Sequence, residues 1–203
     1  MGKFFNPENP VWRFMGKVFD MMVLTVLWIV CSLPIVTIGA STTALYYVTL
    51  KMAKDQEGYL FVDFFRSFKQ NLKQSTLIWM GVLLLGILFG GELVWYYHFR
   101  GGVGVMIFFM ILLLTVLYLM VVCYVFPLLA RCQTSCKQIL IMAFVMAIKN
   151  FGWTVLLMTI TGCVLAIGIF VCAPVLIFAV GVIAYAQSKI FVMIFEYYKL
   201  GIV

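Results

Sequence analysis

The sequence predicts an all-α fold: a polytopic transmembrane helical bundle of about six hydrophobic helices. The first two form a short broken hairpin, and amphipathic interfacial helices accompany the spans. Three observations predict it. First, 66% of the 203 residues are hydrophobic and only 10% are charged, against about half and about a quarter in a soluble domain. A soluble chain of this length turns a large share of its residues to water and cannot hide so much apolar surface. Disorder, a secreted disulfide scaffold and a cytosolic enzyme are all excluded on that ground. Second, the apolar residues come in long runs with little or no charge, at residues 21–50, 74–91, 101–130 and 150–188. Third, the basic residues collect between the runs. The expected organisation is one membrane domain over residues 1–203. It comprises a broken hairpin (1–53), an amphipathic helix with two spans (58–130), and a helix with two spans and a tail (136–203).

The first helix starts at Asn9-Pro10, with Asn as N-cap and Pro at the first helical position. Trp12, Met15, Val18 and Phe19 follow at helical spacing, an interfacial turn with Trp12 in the aromatic belt. A single helix over residues 18–50 would be about 50 Å long, too long for a hydrocarbon core of about 30 Å without a break. The break falls at Pro34, which lacks a backbone donor and disfavours helix at Leu33. Gly39 then loosens the chain, and Ser41, Thr42 or Thr43 caps a second helix reaching Ala53.

Residues 60–74 form an amphipathic helix. Phe61, Phe64, Phe65, Phe68 and Leu72 make one stripe, with Asp63, Arg66, Lys69, Gln70 and Lys73 largely opposite. The expectation is a helix on the inner membrane surface that turns into a span at Thr76; the alternative is a solvent-faced helix packed on the bundle. Arg66, Lys69, Asn71 and Lys73 are its candidate cytoplasmic interfacial face. The runs 74–97 and 101–130 give one span each. Residues 136–150 occupy a similar place before the next pair of spans, the placement a tandem repeat of helix plus hairpin would give. They are more apolar, which predicts burial against the bundle. The run 150–188 is too long for one span and divides near Ala173-Pro174.

Charge placement sets the topology. Residues 1–17, 51–73, 131–149 and the tail carry 13 of the 14 Lys and Arg, and Arg100 lies in another loop. If residues 18–50 return to the side they left, all 13 are cytoplasmic. A single crossing strands three or five of them outside. The reading is therefore a hairpin, full or re-entrant, with both termini inside; five crossings is the alternative. The net charge of +7 follows from topology and anionic lipid, and no nucleic-acid partner is expected. No cleavable signal peptide is expected either.

Candidate chemistry is sparse. His98 is the one histidine and cannot build a triad or metal site alone. Cys132 and Cys136 stand i, i+4 in a basic, reducing loop without further ligands, so no zinc and no disulfide are expected. Asp20, Glu92 and Glu196 lie near helix ends, where solvation suffices. Gly86/Gly90 and Gly162/Ala166 are small-xxx-small pairs suited to close packing or a homo-oligomer face. No catalytic constellation, metal or cofactor is expected. The break is the most informative feature. A helix starting inside the bilayer presents free N–H groups and a positive dipole end. Pro34, Thr37, Gly39, Ser41, Thr42 and Thr43 are thus a candidate ligand motif, or a turn that satisfies itself.

The stretch Trp28-x-x-Cys31-x-Leu33-Pro34-Ile35-Val36-Thr37-Ile38-Gly39-Ala40-Ser41-Thr42-Thr43-Ala44-Leu45-Tyr46-Tyr47 resembles the signature of the YesL-like family of bacterial membrane proteins. The segment Phe64-Phe65-x-Ser67-Phe68-Lys69-x-Asn71-x-Lys73-Gln74 is similar to it as well. The family is a domain of unknown function. The resemblance implies a bacterial, mostly Gram-positive source and a gene neighbourhood of carbohydrate ABC transporters and sensor kinases. It implies an accessory or regulatory membrane protein with transporter or sensor-kinase subunits as partners. A small-solute transporter built around Pro34–Thr43 is the alternative.

Overall fold

The computed structural model describes residues 10–56, 58–97, 102–132, 134–171 and 173–198. They form seven α-helices and, among the described residues, no strand. In chain order these are α1 (Pro10–Ser32), a 3-10 turn (Ile35–Thr37), α2 (Ile38–Ala53), α3 (Leu60–Tyr97), α4 (Gly102–Arg131), α5 (Cys136–Lys149), α6 (Phe151–Val171) and α7 (Ala173–Tyr197). The fold class is the predicted one. Four helices carry stretches long and apolar enough to cross a membrane, within α1, α3, α4 and α7. The pair α5–α6, bent by 98°, makes a fifth if it is counted as one span.

The short α2 is the centre of the bundle and packs against α1, α3, α4 and α7. One apolar cluster joins Leu24 of α1, Leu45 and Val48 of α2, Phe64 of α3 and Ala184 of α7. A second joins α4, α5, α6 and α7 around Tyr124, Ile139, Leu157, Phe191 and Phe195. The Tyr124 and Phe191 rings meet edge to face at 5.4 Å. Lipid is as apolar as these side chains, so close packing and interhelical hydrogen bonds hold such helices together. Many large apolar residues accordingly face outward, including Leu84, Leu88, Met106 and Leu113.

Contacts fix the relative levels of the helices. Lys51 meets Asp63, Thr43 meets Ser75, and Trp79 donates to the Ile35 carbonyl. The helices α2 and α3 are therefore antiparallel, and the tip between α1 and α2 lies level with Trp79. From there α3 runs on for another 18 residues, about 27 Å. In α4, Tyr118 donates to the Val82 carbonyl at 2.6 Å and so accompanies that extension.

Several expectations are corrected. The first helix is not short: α1 has 23 residues, enough for a crossing. The second helix begins at Ile38, not Ser41, and Gly39 does not loosen the chain. It lies buried inside α2, where a β-carbon would stand 2.6 Å from Trp79 Cβ. Residues 60–74 do not turn at Thr76, because α3 is one helix of 38 residues. Its buried stripe is Phe64, Ser67, Ser75 and Ile78, while Phe61 and Phe65 are exposed; α2 covers only Phe64 and Phe68 of the stripe expected to meet lipid. The helix α5 does pack against the bundle as expected, through Ile139, Ala143, Met146 and Ala147, with Leu140, Ile141 and Phe144 on its outer face. The division of the run 150–188 agrees with expectation, since α6 ends at Val171 and α7 starts at Ala173.

The corner between α5 and α6 is satisfied locally. A capping box of Ser135 and Gln138 opens α5. At its end, Asn150 donates to the Met146 carbonyl and to Tyr198, at 3.2 and 3.4 Å. Thr154 donates back to the Ala147 and Asn150 carbonyls.

Candidate functional site

The break between α1 and α2 closes on itself. Pro34 is extended (φ −76°, ψ 116°) and precedes the 3-10 turn, as its missing donor and restricted predecessor dictate. Thr37 occupies the N-cap of α2 without a side-chain capping bond. Its hydroxyl donates instead to the carbonyls of Cys31 (2.6 Å) and Pro34 (2.8 Å). Ser41, Thr42 and Thr43 do not cap either. They lie inside α2 and donate to the carbonyls of Thr37, Ile38 and Gly39. Thr42 also accepts from Trp28 Nε1 at 3.1 Å, and Thr43 pairs with Ser75 at 3.1 Å. The tip itself is apolar and outward-facing through Leu33, Ile35 and Val36. Two clefts lie elsewhere, at the other end of α2.

A polar seam that sequence reasoning missed runs along α2. Tyr46 donates to Gln187 Oε1, and Gln187 Nε2 donates to Thr161 at 2.7 Å. Thr49 pairs with Ser188 at 2.8 Å; away from α2, Tyr124 of α4 pairs with Thr154 of α6 at 2.9 Å. Gln187 and Ser188 sit next to Lys189 in the sequence and read as the polar end of a span. Only the tertiary pairing of α7 with α2 shows that they are buried glue.

The far end of α2 is ionic. Lys17 pairs with Asp55 (2.6 Å), Lys51 with Asp63 (2.9 Å) and Lys54 with Glu196 (3.5 Å). The hydrogen bond to Asp63 holds the Lys51 ammonium above its ordinary pKa range. A cleft of about 380 Å³ here is lined by Lys17 and Lys51 together with Asp20, Asp55 and Asp63. A second, of about 350 Å³, lies between α2, α3 and α4. Arg66, Lys69 and Lys73 are exposed along one stripe of α3. Asn71 leaves that stripe: it is half-buried and donates to the carbonyl and hydroxyl of Ser67 at 3.1 and 3.3 Å.

Among the described residues no group of three metal-ligating side chains comes together. Cys132 and Cys136 border the second apolar cluster, and burial pushes the Cys132 thiol up. Glu92 is exposed, and Glu196 serves as the partner of Lys54. Gly86 faces the Tyr118 hydroxyl, whereas Gly90 and Gly162 face open space. His98 and Arg100 lie outside the described residues, as does the side chain of Trp12.

No curated protein and no solved structure matches the chain. A family model does, and it spans the later part of α1, the break, α2 and most of α3. The family is described as "Protein of unknown function, DUF624" and its model matches residues 21–92, a match consistent with the resemblance carried by residues 28–47.

Proposed function

We propose that this protein is an accessory or regulatory component of a carbohydrate ABC uptake or sensing system, set in the bacterial cell membrane with both termini in the cytoplasm. It engages a transporter or sensor-kinase subunit through the basic end of the bundle. The observation that carries this reading is where free bonding capacity lies. The hydroxyls of Thr37, Ser41, Thr42 and Thr43 are committed to carbonyls and neighbouring side chains. The exposed stripe of Arg66, Lys69 and Lys73 offers charge to a partner. Such charge steers association and fixes register. The positive-inside rule supports placing that end in the cytoplasm. The carbohydrate setting comes from the resemblance. A transporter built on the break finds less support, because its hydroxyls are already spoken for.

The test is affinity purification of the tagged protein from native membranes in mild detergent, read by mass spectrometry. Transporter or kinase subunits are expected with the wild type and are lost on R66E/K69E/K73E. Recovery of neither subunit overturns the reading. So does a T37V/S41A variant that abolishes sugar uptake while the charge reversals leave it intact.

A further inference from the structure

The cleft between α2, α3 and α4 differs from its neighbour in charge. The neighbouring cleft mixes both signs, with two lysines, Lys17 and Lys51, against three carboxylates, Asp20, Asp55 and Asp63. Among the described residues, the α2–α3–α4 cleft is lined by Lys51, Lys54, Arg66 and Arg131 and by no carboxylate. From outside that lining, Asp63 engages Lys51, and Glu196 engages Lys54 and also acts on the Arg131 charge without forming an ion pair with it. Arg66 and Arg131 form no ion pair among the described residues. The Nη2 of Arg131 is buried and has no hydrogen-bond partner among the described residues. Its guanidinium rests over the Phe195 ring at 5.4 Å, a cation–π contact that holds the side chain in place. Gln56 and Gln70 add side-chain amides to the lining. Buried polar groups in folded proteins are almost always paired, so an orphaned guanidinium nitrogen at a basic cleft calls for an acceptor.

Depth narrows the acceptor. On α3, Arg66 and Gln70 come just before the uncharged run that starts at Gln74, and on α4 Arg131 comes directly after the run that ends at Ala130. The cleft therefore sits at the edge of the hydrocarbon, the level of lipid phosphates. Guanidinium groups match phosphate oxygens with two parallel N–H donors, and lysines add point charge.

We propose that Arg66 and Arg131, with Lys51 and Lys54, form a binding site for a phosphate group at the cytoplasmic membrane edge. The phosphate belongs either to an anionic lipid headgroup or to a soluble phosphate ester. The proposal uses the membrane placement given above but requires no protein partner. Its failure in purified protein is therefore distinct from failure of the partner reading in native membranes.

The experiment uses the full chain purified in neutral detergent. One arm offers phosphatidylglycerol or zwitterionic phosphatidylcholine and counts retained lipid by native mass spectrometry. The other titrates glucose 6-phosphate against thermal unfolding, with glucose as the control. Preferential retention of phosphatidylglycerol assigns the site to lipid; stabilisation by glucose 6-phosphate alone assigns it to a soluble ligand. In either case R131Q is expected to weaken binding about tenfold, the scale of one charge-assisted hydrogen bond, and R66Q several-fold. K137Q and K189Q, exposed and outside the cleft, are expected to change it less than twofold. If R131Q fails to fold, the exposed Arg66 decides through R66Q. The proposal is overturned if neither probe binds preferentially, or if K137Q or K189Q weakens binding as much as R66Q.

Discussion

At Gly39 a β-carbon would stand 2.6 Å from Trp79 Cβ and 2.7 Å from the Ser75 carbonyl oxygen, and both of those atoms belong to α3. The carbonyl is held by the helical backbone and the Cβ lies at the root of its side chain, so neither yields by a rotamer change. Substitution must push α2 and α3 apart just where Thr43 meets Ser75. Gly39→Ala is therefore expected to destabilise by about 1–3 kcal/mol, the usual cost of overpacking. Gly90→Ala meets nothing within 4 Å and is expected to be neutral or stabilising by up to about 1 kcal/mol through helix propensity. Thermal unfolding of the two variants in the same detergent checks this. Equal melting temperatures would show that α2 and α3 do not approach so closely. The sequence reading of Gly39 as a loosening residue was the natural local inference, since it follows Pro34 by five positions. What it lacked was the partner helix, 36–40 residues further on.

On the scale of elements, period and run length located every helix, while the joins between them were harder to read. All six hydrophobic helices of the expectation are present as α1, α2, α3, α4, α6 and α7. Ser41, Thr42 and Thr43 look like caps in the sequence, which puts the expected start of α2 three residues late. A hydroxyl inside a helix can equally donate to the carbonyl four residues back, and that is what all three do. The supposed turn at Thr76 rested on the change from amphipathic to uniformly apolar character. That change marks a change of surroundings, from an α2-packed face to a lipid-facing one, and a helix can cross it without bending. Spin labels at residues 65 and 92 report on this. One straight helix separates them by about 40 Å, whereas a right-angled turn at Thr76 would bring them to about 29 Å. A distance distribution centred on the shorter value would restore the interfacial helix.

The whole molecule poses one question of depth. The tip between α1 and α2 is level with Trp79, and α3 continues about 27 Å beyond it with Leu84, Leu85, Ile87, Leu88 and Val94 exposed. If the tip stood at the outer face, that whole extension, with its companion part of α4, would be apolar surface in water. If the extension lies in the hydrocarbon, the tip lies within it too, and the hairpin α1–α2 enters and leaves from one side. The bilayer tolerates such a turn only when its backbone is satisfied by protein. Here the Thr37 hydroxyl takes the carbonyls of Cys31 and Pro34, and Trp79 Nε1 takes that of Ile35. The exposed Leu33, Ile35 and Val36 then face lipid tails. This also accounts for a basic count that no single crossing of residues 18–50 could place on one side. In a variant without native cysteines, a cysteine introduced at Gln56 is expected to react with an impermeant maleimide only from the cytoplasmic side, and one at Arg100 only from outside. One at Val36 is expected to react from neither. Outside labelling at Val36 would make the hairpin a full crossing and leave the α3–α4 extension standing in water; outside labelling at Gln56 would remove the hairpin altogether.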